Sequence, residues 1–382
     1  MRDFVLTIVG GGNSTHVLAG LAPKEVETRL LTRRPGEWNQ RIEVFSESDT
    51  TPISKGYLSV ISSNPEEVIP GSDLIVICSP VHAYDQILSK IAPYVNQYSH
   101  VGSLFAQGCT HFLAQSLLPN SYFFGFQTIP WICRTIQYGK KARINGIQKY
   151  LRVATNAPDK GKLSSYLESL LGNCVITFLP NFLNTTLTPS NQIVHPGRYY
   201  GIFHDWDGVS PYSEEDIPLF YSDMDEFSAE CILHLSDELQ LIKKGIINKL
   251  PEVKLDSIKP LAERLIEDFD ELIEDKSSLK TIYATSHAHR GIKTPVREIE
   301  GGFVPDPDSR LFTDDIPYGL CVLKGYGEML NIDTPWIDVI VEWHQKLMGQ
   351  EFIVNGKLVG KDAHKCGSPV SYGVQTLKEA VI

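Results

Sequence analysis

Val5-Leu6-Thr7-Ile8-Val9-Gly10-Gly11-Gly12-Asn13-Ser14-Thr15-His16-Val17-Leu18-Ala19 is the stretch that decides the fold class. An apolar run of strand length meets a glycine cluster, and an apolar pattern at helical spacing follows. In such a unit the first glycine lets the chain turn tightly. A later glycine, lacking a Cβ, lets the backbone approach a pyrophosphate. Unpaired N–H groups at the helix start then face the negative charge. Gly10, Gly12, Asn13 and Ser14 are the candidate contacts. The third fingerprint position holds Thr15 where Gly or Ala is usual, a departure expected to loosen the packing of helix on strand. A plain tight turn would use the same glycines. The strand before them and the helix after favour a dinucleotide.

The pattern continues outward. Thr28–Thr32 reads as a second strand, ending in Leu31-Thr32-Arg33-Arg34-Pro35. NAD-binding domains usually carry an acid there for the ribose 2′-hydroxyl, whereas an Arg serves the 2′-phosphate of NADP. No acid is present, so Thr32, Arg33 and Arg34 point to NADPH over NADH. Two solvated arginines are the blander alternative. Asp73-Leu-Ile-Val-Ile-Cys78 is continuous enough for a strand buried on both faces. Ser79 and Pro80 follow it, at the edge where nucleotides lie, and are expected to line the nicotinamide side. His82 either joins that edge or merely starts a helix. His100–Phe105 reads as a strand, with helices at His82–Ile91 and His111–Leu118. Strands Leu151–Thr155 and Cys174–Leu179 flank a helix, Lys160–Leu171.

This alternation predicts an α/β fold with an N-terminal Rossmann-type doubly wound parallel sheet. Beyond residue 184 the pattern turns mostly α-helical, at Asp225–Lys249, Leu261–Ile273, Tyr318–Asn331 and Trp336–Met348. The expected domains are 1–183, for the dinucleotide, and 184–382, for substrate and catalysis. A length of 382 residues suits two domains.

Net charge is −11, from 35 basic and 46 acidic residues, which excludes a general nucleic-acid binder. No apolar run is long enough to span a membrane, and Val5–Val9 is too short for a signal-peptide core. The seven cysteines form no CxxC pair and read as free thiols in a reducing cytoplasm. His287-Ala-His289 and His204-Asp205-Trp206-Asp207 look like partial metal sites. Neither has further ligands at a known spacing, so no metal is expected.

Reduction of a carbonyl or imine needs an acid, a partner that orients it, and a cation for the substrate carboxylate. The second half holds all three. His195 lies in Asn191-Gln-Ile-Val-His-Pro196-Gly197, where Pro196 biases it towards extended backbone. Arg310 and Asp315 lie in Ser309-Arg-Leu-Phe-Thr-Asp314-Asp315-Ile-Pro317-Tyr-Gly319. A structural histidine and a helix cap are the alternatives for His195 and Asp315.

Five segments, in order, resemble the opine dehydrogenases of the octopine/nopaline type: Gly10-Gly-Gly-Asn13 with His16; Phe126-Gln-Thr-Ile-Pro-Trp-Ile-Cys133-Arg134 with Tyr138-Gly-Lys140; Asn191 to Pro196; Arg310 to Leu320; and Gly356-Lys-Leu358 with Lys361-Asp362. The resemblance implies a Rossmann-type domain, a helical domain and reductive condensation of a 2-oxo acid with an amino acid through an imine. It makes His195 the acid, Asp315 its partner and Arg310 the holder of the oxo-acid carboxylate. It brings Gln107, Thr128 and Cys133 near the amino-acid substrate, and it leaves monomer or homodimer open. Thr15, Ile132 and Ile147 depart from the family's pattern and bear on substrate detail. Two rivals are a reductase of 2-oxo acids alone and a non-catalytic sensor of NADP. The second needs no His–Asp–Arg set.

Overall fold

Alternate residues of the first strand face opposite ways, and both ways are buried. Leu6 and Ile8 join one apolar cluster, and Val9 joins another. Leu74 and Val76 divide from Ile75 and Ile77 in the same manner, so these strands lie inside a sheet covered on both faces. The computed structural model describes residues 3–47, 49–172 and 174–381. The chain divides into two compact units, one ending at Thr186 and one beginning at Leu187.

Among its described residues the first unit carries eleven strands: β1 (Val5–Gly10), β2 (Glu27–Leu31), β3 (Arg41–Ser46), β4 (Ser54–Ser62), β5 (Leu74–Cys78), β6 (His100–Ser103), β7 (Tyr122–Phe126), β8 (Trp131–Gln137), β9 (Lys141–Ile147), β10 (Tyr150–Thr155) and β11 (Val175–Phe178). Their order is β11-β10-β7-β6-β5-β1-β2-β4-β3-β9-β8. From β7 to β4 every neighbour is parallel. The order reverses on either side of β1, which marks the switch point where ligands bind in such sheets. The helix Lys160–Leu171 has the bounds expected, with the Asp159 carboxylate accepting from Gly161 N–H at its start.

β3, β4, β7, β8 and β9 add to the strands expected. The β3 sequence Arg-Ile-Glu-Val-Phe-Ser only alternates in polarity, and β4 is antiparallel to it. Such strands take their place from their neighbours.

The second unit is built on the helices Asn191–Phe203, Glu226–Lys249, Leu261–Phe269, Cys321–Leu330 and Pro335–Met348. A small hairpin, Val296–Ile299 with Gly302–Pro305, is the one two-stranded sheet among the described residues. The helix Asn191–Phe203 contains Pro196 and corrects the expectation of an extended His195. Pro196 forfeits one N–H bond there, a local cost that packing overrides. Gly197 and Gly201 lie one turn apart, and a Cβ on either would collide with Ile232 or Ser228 of the helix Glu226–Lys249. Bare backbone thus lets the two helices close on each other.

Candidate active site

The glycine turn is shaped by its own neighbours. Gly10 has φ +148°, and a Cβ on it would lie 2.7 Å from the Cys78 carbonyl oxygen and 2.8 Å from Thr15 Oγ1. Thr15 is fully buried in the space a side chain at Gly10 would need. The larger residue is therefore accommodated and does not loosen the helix. Gly12 precedes α1 (Asn13–Leu21), and no side chain caps it. A Cβ on Gly12 would meet nothing within 4 Å. Space is thus open beside Gly12 at the start of α1, as close approach of a phosphate to the backbone requires.

Two side chains brace the turn. Asn13 Oδ1 accepts from Thr135 N–H and Thr135 Oγ1, each at 2.9 Å. His16 Nδ1 donates to the Gly12 carbonyl at 2.7 Å, and Nε2 accepts from Gly139 N–H at 2.7 Å. Those partners assign the proton to Nδ1. Burial lowers the pKa of His16, in keeping with a neutral ring, and that ring stacks on Trp38 at 4.1 Å.

The remaining cofactor candidates sit around this turn. Thr32 is buried, and its Oγ1 lies 3.2 Å from where a Gly11 Cβ would stand. Arg33 and Arg34 are exposed. The Arg34 guanidinium lies 4.0 Å above the Tyr138 ring and 3.3 Å from Glu37. Ser79 and Pro80 are half-buried just past β5, before the short turn Val81–Ala83 that contains His82. Gln107 is buried just past β6, and Thr128 half-buried just past β7. β1, β5, β6 and β7 are parallel neighbours, so these residues share one sheet edge with Gly10. Cys133, on β8, is buried beside Ser14. Burial pushes its thiol up to about 11 while the Ser14 hydroxyl and Arg134 pull it back. It is a thiol at neutral pH, and it stands against the glycine turn.

The second unit holds the acid–base group. His195 Nδ1 lies 2.8 Å from Asp315 Oδ2, and its Nε2 lies 3.0 Å from the Tyr221 hydroxyl. A carboxylate accepts, so Nδ1 carries a proton and Nε2 faces the Tyr221 hydroxyl. Asp315 is buried and precedes the wide turn Ile316–Leu320, but its side chain makes no capping bond. Its neighbour Asp314, also buried, accepts from Arg310 Nε at 2.9 Å. Two adjacent acids therefore orient two different side chains. The Arg310 side chain is 68% exposed.

Sequence reasoning passed over Tyr221 and Arg198. Burial, and then the Asp315 charge, push the Tyr221 hydroxyl well above its ordinary pKa, so it stays protonated. His289 packs on Tyr221 at 4.8 Å, and burial followed by the nearby His195 lowers it to about 4. His287 is exposed and pairs with Glu274. No cluster of three or more His, Cys, Asp or Glu that could hold a metal occurs among the described residues. No described helix is long and apolar enough to cross a membrane.

Residues 178–348 match the family described as NAD/NADP octopine/nopaline dehydrogenase, alpha-helical domain. The chain is 31% identical over 405 residues to an opine dehydrogenase of Haliotis discus hannai, covering 100% of this chain and 99% of that one. It belongs to the octopine/nopaline dehydrogenase family. It is 32% identical over 395 residues to a tauropine dehydrogenase of Arabella iricolor, with 98% of each chain covered. A solved octopine dehydrogenase with NADH and agmatine superposes with a TM-score of 0.89 at 29% identity, over 99% of this chain and 98% of that one. Family membership makes the chain an oxidoreductase acting on the CH–NH group of donors. Its reaction is reductive condensation of a 2-oxo acid with the amino group of an amino acid, using a nicotinamide dinucleotide.

Proposed function

We propose that the first unit binds the dinucleotide and that the second carries the acid and the oxo-acid anchor. The observation behind this is the His195–Asp315 bond at 2.8 Å, with Arg310 held by the adjacent Asp314. His195, protonated, gives its Nε2 proton to the hydroxyl of the carbinolamine. The C–O bond breaks, water leaves, and the nitrogen lone pair closes the imine. Asp315 favours the charged ring and fixes its plane. Arg310 pairs its fork with the oxo-acid carboxylate, which orients the electrophilic carbon. When bound, the reduced nicotinamide supplies a hydride to that carbon. Gln107, Thr128 and Cys133 contact the amino-acid substrate in this reading. Gly10, Gly12, Asn13 and Ser14 hold the pyrophosphate, and Ser79 and Pro80 back the nicotinamide.

The preferred cofactor is NADPH, because Thr32, Arg33 and Arg34 offer donors and Thr32 stands where an acid for the ribose 2′-hydroxyl is usual. A second reading has an observation of its own. Arg34 stacked on Tyr138 gives an adenine a flat surface, which would serve NADH equally. Michaelis constants for the two cofactors decide between them, and equal values overturn the preference. A cytoplasmic location fits seven cysteines that form no disulfide among the described residues.

Oxidation of NADPH and of NADH should be followed with pyruvate alone, amino acids alone and both together. Turnover is expected only with both. Turnover on the oxo acid alone would mark a simple reductase.

A further inference from the structure

Nε2 of His195 is the atom that must pass a proton, and it is already bonded to Tyr221 at 3.0 Å. Tyr221 lies in the segment between the helices Asn191–Phe203 and Glu226–Lys249. That segment holds only a short 3-10 turn, Glu214–Asp216, and two isolated bridges, Tyr212 to Phe303 and Leu219 to Lys293, yet around Tyr221 it is tightly held. Arg198, one turn beyond His195 on the same helix face, is completely buried. Its Nε donates to the Phe220 carbonyl at 2.8 Å, and one terminal nitrogen donates to those of Leu219 at 3.3 Å and Asp223 at 2.9 Å. The other reaches Ser228 Oγ at 2.7 Å and also pairs with Asp225. A fully buried guanidinium is costly unless every N–H is used, and here they secure the carbonyls on both sides of Tyr221. The Tyr221 ring is stacked on Tyr283 at 5.3 Å, and His289 covers it.

We propose that Tyr221, presented by the Arg198 clamp, is a positioning residue for His195: its hydroxyl holds the ring through Nε2 while Asp315 holds it through Nδ1. This rests on the reading of His195 as the acid. Tyr221 does not itself pass the proton: it is buried, whereas His195 is half-buried, so the substrate hydroxyl takes the place of the Tyr221 hydroxyl at Nε2 for the transfer. The hydroxyl serves both ring states. It donates to neutral Nε2 and accepts from the charged ring. The bond to the charged ring is the stronger, so Tyr221 favours the proton-loaded acid. The other ionisable groups facing this pair are Asp315, His289 and Tyr283, with Asp223, Asp225 and Arg198 behind the segment.

Tyr221→Phe keeps the stacked ring and removes the bond. With pyruvate and a working amine, the alkaline limb of kcat/KM should move down by roughly half a unit to one unit. The plateau should fall about three- to tenfold, with the pyruvate KM within about twofold of wild type. The NMR titration of the proton on His195 Nδ1 in the substrate-free enzyme should shift down in parallel. Tyr283→Phe, from the same stack, should move neither. Unmoved limb and titration in Tyr221→Phe would overturn the proposal. So would a loss as large as that of His195→Gln, because Tyr221 would then carry the proton itself. The NMR titration needs no turnover. If His195→Gln remains active, the acid assignment fails, while the titration still reports whether Tyr221 acts on His195.

Discussion

At the scale of single residues, chemistry here is assigned by partners. His195 is an acid candidate because a buried carboxylate takes one ring nitrogen and a neutral hydroxyl, which a substrate can replace, takes the other. His16 has the same ring with both nitrogens spent on backbone, and it does structural work. His195→Gln should lower kcat at least about 100-fold, the usual scale for losing general acid catalysis. A fall of under about threefold in steady-state kcat would remove it from the role. Arg310→Ala should mainly raise the KM for the oxo acid, and an unchanged value would reassign the carboxylate contact. The pairing of His195 with Asp315 was legible because both lie in segments that resemble a known family. Tyr221 was not, since nothing near Phe220-Tyr221-Ser222 marks it. It is found through the buried Arg198 that holds its backbone.

At the scale of elements, the helices with strong apolar periodicity were readable to within a few residues, as Glu226–Lys249 illustrates. The helix around His195 was not, because Pro196 argues locally against it and two glycine contacts argue for it. A second element-level feature is equally silent in sequence. Glu238, buried on the helix Glu226–Lys249, accepts from Trp336 N–H and Ile337 N–H and so caps the helix Pro335–Met348. Burial raises its pKa to about 7, well above the ordinary carboxylate range, with the two N–H bonds and Lys324 pulling back and Asp338 adding to the rise. A carboxyl raised in the folded state contributes stability below its unfolded pKa. That contribution is lost as pH climbs through the folded value. Wild type should therefore lose up to about 3 kcal/mol relative to Glu238→Gln between pH 4.5 and 7. Urea unfolding of both proteins across that range measures it, and parallel curves would show that the charge is fully compensated.

At the scale of the whole molecule, the dinucleotide should act as a stabiliser, because a ligand that binds only the folded chain shifts unfolding by mass action. At about a hundred times its Kd it adds about 2.7 kcal/mol. Calorimetry with NADPH and NADH should show a rise in melting temperature with each, larger for NADPH. Equal rises would favour the adenine-stacking reading of Arg34. The amino-acid sequence by itself determined the α/β character of the first half, the glycine turn and the helical character of the second half. Each is written in short-range periodicity or in a local backbone requirement, which needs no distant partner to be read. Tertiary structure alone decided that β3, β4, β8 and β9 extend the sheet and that Thr15 fits against Gly10. It alone set Tyr221 against Nε2 of His195. Those outcomes depend on which surfaces meet across long stretches of chain, where packing and buried hydrogen bonds outweigh local preference.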